Sequence, residues 1–173
     1  MSYCAYCKDL PADDVNKIYH DQFYGFPIDD DDELFGRLIL EINQAGLSWA
    51  TILKKEANFR KAYDQFSIQK IAKYDEKKIE GLMNDAGIIR NRLKIHAAIF
   101  NAQKVMEIKN KFGTFKKWLD EHHSLEKEEW VKLFKKTFKF TGGEIVNEFL
   151  MSSAYLPGAH EENCSIYHKI KKR

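Results

Sequence analysis

A chain of 173 residues that is 44% hydrophobic and 13% aromatic can bury a real core in one compact domain, which excludes wholesale disorder. With only three prolines and nine glycines it favours long helices over many short strands, and a net charge of +2 does not by itself identify a partner. No apolar run can span a bilayer and no secretion-type leader is evident, so the chain is expected to be soluble and cytoplasmic.

In chain order, the first strong helical signal is Asp31–Gln44. It opens on acidic residues, as a helix N-terminus prefers, and repeats Leu34, Leu38, Ile42 and Ala45 along one face. Ser48 has the chemistry of an N-cap for a helix from Trp49 to about Tyr63, with Ile52, Leu53 and Phe59 turned inward. Ser67 and Asp75 cap two short helices, the first carrying Ile71 and the second Ile79, Leu82 and Met83. After the break at Asp85-Ala86-Gly87, a longer helix is predicted from about Arg90 to Lys109. Thr114 precedes a short helix with Trp118 and Leu119, Glu126–Lys136 follows, and Gly142-Gly143 introduces a last helix with Val146, Phe149 and Leu150. There is no internal repeat and no convincing strand pair, so the fold class is all-α.

Four features carry chemistry. Glu41 lies almost directly beneath Leu34 on the apolar face of its helix, and an unpaired buried carboxylate is costly enough to suggest a function. The simpler alternative is a Glu at the edge of that face, reaching water or a lysine. The loop Gln44-Ala45-Gly46-Leu47-Ser48-Trp49 combines a glycine for close approach, a leucine able to wedge between bases and a tryptophan able to stack. Its alternative is a tight interhelical turn with Leu47 and Trp49 in the core. The turn Asn84–Arg90 has the outline of a helix-hairpin-helix, with Gly87, Ile88, Arg90 and Lys94 placed to meet a DNA phosphate, although ordinary helical hairpins look similar. Three cysteines cannot all pair; Cys4, Cys7 and His20 near one end, with His160 and Cys164 near the other, offer the donors of a structural zinc site.

The strings Tyr19-His20-Asp21, Tyr24-Gly25-Phe26-Pro27, Glu41, Gln44–Trp49, Ile52-Leu53-Lys54-Lys55, Asp85–Arg90, Phe138-Lys139-Phe140 with Gly142, and the His160/Cys164 pair together resemble the 3-methyladenine DNA glycosylase I family over nearly the whole chain. The resemblance implies a divergent helix-hairpin-helix glycosylase that flips 3-methyladenine out of alkylated double-stranded DNA and hydrolyses its N-glycosidic bond, leaving an abasic site. It implies that Glu41 hydrogen-bonds the flipped base as the catalytic carboxylate, with Trp49, Tyr19, Tyr6 and Tyr24 lining the pocket. Gly46 and Leu47 then enter the duplex, and Gly87, Ile88, Arg90 and Lys94 hold its backbone. It further implies a structural zinc on Cys4, His20, His160 and Cys164, with Cys7 as the alternative to Cys4, and no organic cofactor. The chain departs from the family pattern at Asn16, where an aromatic residue is usual, and at Tyr24, where a tryptophan is usual. A single domain over 1–173 is expected, with 1–30 and 142–173 as the zinc-tied end and 31–141 as the helical body carrying the hairpin near 79–95. The protein is expected to be a monomer with no membrane partner. The rival reading is a non-catalytic protein of the same fold that binds alkylated lesions; the presence of Glu41 and Trp49 argues against it.

Overall fold

A computed structural model describes residues 1–171, and among them the chain is all-helical. The order is α1 (Tyr3–Lys8), α2 (Val15–Gln22), α3 (Asp31–Gln44), α4 (Trp49–Ala62), α5 (Ile68–Ile71), α6 (Glu76–Met83), α7 (Arg92–Phe112), α8 (Phe115–Glu121), α9 (Lys127–Thr137), α10 (Gly143–Ser152) and α11 (Ser165–Lys171). The predicted caps hold: Ser48, Ser67, Asp75 and Thr114 each accept a backbone N–H of the helix they start. Two shifts occur. The long helix begins at Arg92, where Asn91 supplies its cap, and α1, α2 and α11 have no counterpart among the elements expected from the sequence.

Helix α3 is the hub, packing against α4, α5, α7, α8 and α10. Nine of its residues are buried, including Leu34, Phe35, Leu38 and Ile39. The acidic run at its start serves three helices. Asp30 caps α3 through the N–H of Glu33 at 2.9 Å. Asp31 accepts the N–H groups of Phe115 and Lys116 at 3.0 and 2.9 Å, closing the start of α8. Asp32 accepts the N–H of Ile68 at 3.0 Å and closes α5. Carboxylates at N-termini satisfy donors that have no intrahelical partner, so one short sequence binds three elements together.

The C-terminal end of α3 is closed by a cation. Lys94 is buried, and its Nζ donates to the carbonyls of Asn43 and Ala45 at 3.1 Å each. Helix α10 is set by Asn101, a fully buried side chain that accepts the N–H of Lys139 at 2.8 Å and donates to its carbonyl at 3.0 Å. That clamp fixes the turn leading into Gly142 and α10. None of the described helices is long and apolar enough to cross a membrane.

Gly36 marks the tightest contact of the hub. A Cβ at this position would lie 2.3 to 3.0 Å from the Phe66 ring. Gly36→Ala should therefore destabilise the fold by about 1–3 kcal/mol through overpacking, although helix propensity alone favours alanine by about 1 kcal/mol. Chemical denaturation decides between them; a more stable variant would mean that Phe66 can move aside.

Candidate base-binding pocket

The carboxylate of Glu41 sits on the inner face of α3 at 4% exposure, at the side of a cavity of about 220 Å³. The lining residues are Tyr3, Tyr19, Tyr24, Glu41, Gln44, Trp49 and Glu148. Tyr19 comes from α2, Trp49 from the first turn of α4, Tyr3 from α1 and Glu148 from α10, so four helices converge on the hub at this point. The rings of Tyr19 and Trp49 lie 5.2 Å apart, and Tyr24 lies 5.6 Å from Tyr19 and 5.4 Å from Tyr3. The indole Nε1 of Trp49 is buried without a hydrogen-bond partner among the described residues. Such an arrangement presents tilted aromatic faces on which a flat ring can stack, beside a carboxyl group able to meet N–H donors or positive charge.

Burial pushes the Glu41 carboxyl up to about 8; the Arg37 guanidinium pulls the other way and Glu148 adds to the rise. Arg37 is itself engaged, its Nη1 donating to the Ser152 carbonyl at 3.2 Å and its guanidinium lying 5.1 Å from the centre of the Tyr19 ring. Burial also raises the phenols of Tyr19 and Tyr24, so both are neutral walls; the Tyr24 hydroxyl donates to Glu148, while that of Tyr19 is buried with no hydrogen-bond partner among the described residues.

Leu47 is exposed at the tip of the loop after α3. The turn closes through the Leu47 N–H on the Gln44 carbonyl at 2.7 Å and the Gln44 side chain on the Leu47 carbonyl at 2.9 Å. Gly46 adopts φ +83, a conformation that a side chain would strain. Arg90 is exposed beyond the turn between α6 and α7.

Three expected site residues stand elsewhere. Tyr6 is exposed and outside the cavity lining, stacked on Tyr3 with ring centres 6.3 Å apart; Tyr3 holds the wall position instead. Tyr3 is in turn held by Asn16, whose backbone carbonyl and side-chain oxygen both accept its hydroxyl at 3.3 Å, so the departure at Asn16 supports a substitute aromatic. Lys94 faces inward to α3, because its ammonium satisfies carbonyls at a buried helix end. Ile88 is buried in the core, and its N–H is turned to the Asp85 carbonyl at 3.4 Å; Gly87 similarly donates to the Asp85 carboxylate at 2.8 Å. Periodicity cannot show the Lys94 contacts, which pair residues about fifty positions apart in the chain.

At the other side of α2, Cys4, His20, His160 and Cys164 present one donor atom each, all within 4.8 Å of one another. Cys4 Sγ lies 3.6 Å from His160 Nδ1, and Cys164 Sγ lies 3.8 Å from both His20 Nε2 and His160 Nδ1. The outer ring nitrogens are held by Asp21 Oδ1 at 2.7 Å and by the Tyr24 carbonyl at 2.6 Å, which turns the inner nitrogens toward the group. Cys7 is not a member: its Sγ is fully buried against the Asn16 carbonyl, 3.7 Å away. These four side chains have the donor chemistry to hold a metal.

With the geometry in view, the match to the methyladenine glycosylase family model over residues 9–133 is decisive. The chain belongs to this family. It is 43% identical over 102 residues to DNA-3-methyladenine glycosylase 1 of Escherichia coli K12, a match covering 59% of this chain and 54% of the relative. It is 45% identical over 85 residues to the DNA-3-methyladenine glycosylase of Haemophilus influenzae, covering 49% of this chain and 46% of that one. The chain thus spans about half the length of the curated relatives it matches. Among solved structures, a variant of 3-methyladenine DNA glycosylase I in complex with 3-methyladenine superposes with a TM-score of 0.85 at 30% identity, covering 96% of this chain and 97% of that one. A 3-methyladenine DNA glycosylase I from Staphylococcus aureus, studied for 3-methyladenine recognition, gives 0.84 at 30% identity over 96% of both chains. The all-helical architecture of this family member is therefore that of the 3-methyladenine DNA glycosylase I structures.

The raised carboxyl of Glu41 has a measurable consequence. Between the ordinary 4.5 and about 8 the folded protein retains a proton that the unfolded chain has lost, so stability declines as pH rises through that window and levels off above it. Glu41→Gln should remove this decline and be the more stable form at about pH 9, with the two proteins converging near about pH 4. Thermal unfolding midpoints across that range test it; parallel curves would place Glu41 in a wetter setting.

Proposed function

We propose that this protein hydrolyses the N-glycosidic bond of 3-methyladenine in alkylated double-stranded DNA, leaving an abasic site. The observation that carries this reading is the buried Glu41 carboxylate beside the paired rings of Tyr19 and Trp49, in a cavity sized for one flipped base. The family match and the full-length superposition on a 3-methyladenine complex support it.

The chemistry asks little of the protein. Alkylation at N3 leaves the base positively charged, so the bond from C1′ to the base breaks with the electron pair moving onto the base, which departs neutral. Water adds to C1′ and gives up a proton to solvent. Beside the cationic base the Glu41 carboxyl gives up its proton and, once ionised, accepts N–H donors of the flipped base and stabilises its charge, while Trp49 stacks on the base and Tyr19, Tyr24 and Tyr3 line the pocket around it. Leu47, presented by the Gly46 turn, fills the gap in the duplex. Arg90 and the N-terminal turn of α7 meet the DNA backbone in a helix-hairpin-helix made of α6 and α7. Lys94 and Ile88 support that surface from inside. One domain acting as a monomer suffices for this, with 1–30 and 142–173 as its tied end.

Zinc is the metal we assign to Cys4, His20, His160 and Cys164. Tetrahedral zinc with bonds of about 2.0–2.3 Å separates its ligands by roughly 3.3–3.8 Å; the Cys4–His160, Cys164–His20 and Cys164–His160 pairs, at 3.6, 3.8 and 3.8 Å, fall in that range, within a group that spans 4.8 Å. With four protein donors and no open position, the ion supplies structure only. His20 adjoins Tyr19, and His160 holds the Tyr24 carbonyl, so the tie steadies two pocket walls.

Purified protein should release free 3-methyladenine from alkylated DNA, and Glu41→Gln should slow that release at least about tenfold. Trp49→Ala should weaken lesion binding by about 1–3 kcal/mol. Lesion binding without release by the wild type would instead identify a non-catalytic binding protein. Metal analysis should find about one zinc per chain, lowered in His160→Ala and Cys164→Ser and unchanged in Cys7→Ser. Full zinc in Cys4→Ser would remove that cysteine from the site.

A further inference from the structure

The pocket holds a second carboxylate. Glu148 lines the same cavity as Glu41 but comes from α10, beyond residue 133 where the family match ends. It is half-buried, and its Oε2 accepts the Tyr24 hydroxyl at 3.2 Å. The clamp between Asn101 and Lys139 and the packing of α10 on α3 fix its place. Among the described residues neither carboxylate has an ion-pair partner: Arg37, the cation that acts on Glu41, is committed to Ser152 and to the Tyr19 ring, and Lys127 acts on Glu148 only through space, where Glu144 opposes it.

Hydrogen bonding explains one carboxylate but not two. A neutral purine offers N–H donors that a single acceptor group, or a neutral amide, can satisfy. Two acidic groups around one small cavity oppose each other's ionisation, and a positively charged ring between them relieves that opposition. In an undamaged duplex every adenine is neutral, whereas a base alkylated at N3 carries charge over the same outline. Charge is thus the property that shape and stacking cannot read.

We propose that Glu148 is a specificity residue that, by its negative charge, makes the pocket prefer a positively charged purine over a neutral one of the same shape. This rests on the reading of the cavity as the base pocket. Glu148→Gln isolates the charge, because the amide oxygen still accepts from Tyr24 and the side-chain volume is kept.

The test uses the full chain with two small probes: 3,9-dimethyladeninium, which is a fixed cation, and neutral 9-methyladenine. Binding is followed by calorimetry or by quenching of tryptophan fluorescence. Wild type should prefer the cation, and Glu148→Gln should reduce cation affinity about tenfold while changing neutral affinity less than about twofold. Tyr24→Phe, which removes the hydrogen bond and keeps the charge, should preserve the cation preference. An unchanged ratio in a normally folded Glu148→Gln protein, or equal losses for both probes, overturns the proposal. Failure of the pocket reading looks different: Trp49→Ala and Glu41→Gln would then leave binding of both probes as in wild type.

Discussion

A helix buried along most of its length cannot leave the polar groups of its two ends unsatisfied, and α3 is such a helix. Its N-terminal carboxylates are shared among three helices, so the same charges that suit its own first turn lock α5 and α8 around it. Its C-terminal carbonyls receive the ammonium of Lys94 from α7. With both ends held, the inner face can carry a group as unfavourable as Glu41 without the helix moving to hydrate it.

The same constraint organises the surface. Lys94 ties the end of α3 to the start of α7, so the loop bearing Leu47 and the turn before Arg90 belong to one rigid unit. A buried cation with two carbonyl partners fixes the spacing of that loop and that turn better than exposed side chains could. The cluster of Cys4, His20, His160 and Cys164 does comparable work on the opposite side. Its outer contacts pass through Asp21 and the Tyr24 carbonyl into the segment that bears Tyr19 and Tyr24. Pocket walls from α1, α2 and α10 are thus held by contacts well outside the pocket.

The wall itself illustrates compensation. The family resemblance points to Tyr6, yet α1 turns Tyr3 inward, where Asn16 holds its hydroxyl, and Tyr6 stacks behind it. Asn16 carries no ring of its own, and the ring at this part of the wall comes from Tyr3 on α1. Glu148 shows the same limit more sharply, since nothing in the α10 segment distinguishes it from a solvated helix glutamate until α10 is seen against α3.

Much was legible in the sequence because it is local. Caps such as Ser48, Ser67, Asp75 and Thr114, the span Asp31–Gln44 and the anomaly of Glu41 follow from side chains within a few residues of the groups they satisfy. The pairing of Cys4 and His20 with His160 and Cys164 was also accessible, because sulfur and imidazole donors are scarce enough to be matched by kind. The tertiary structure alone decided that Cys4 rather than Cys7 joins that group, that Lys94 and Ile88 face the core, and that Tyr3 and Glu148 complete the pocket. The physical reason is common to all of these. Each depends on how a helix or turn is oriented by its packing on neighbouring elements, and that orientation is set by contacts between residues far apart in the chain, where no local pattern can record it.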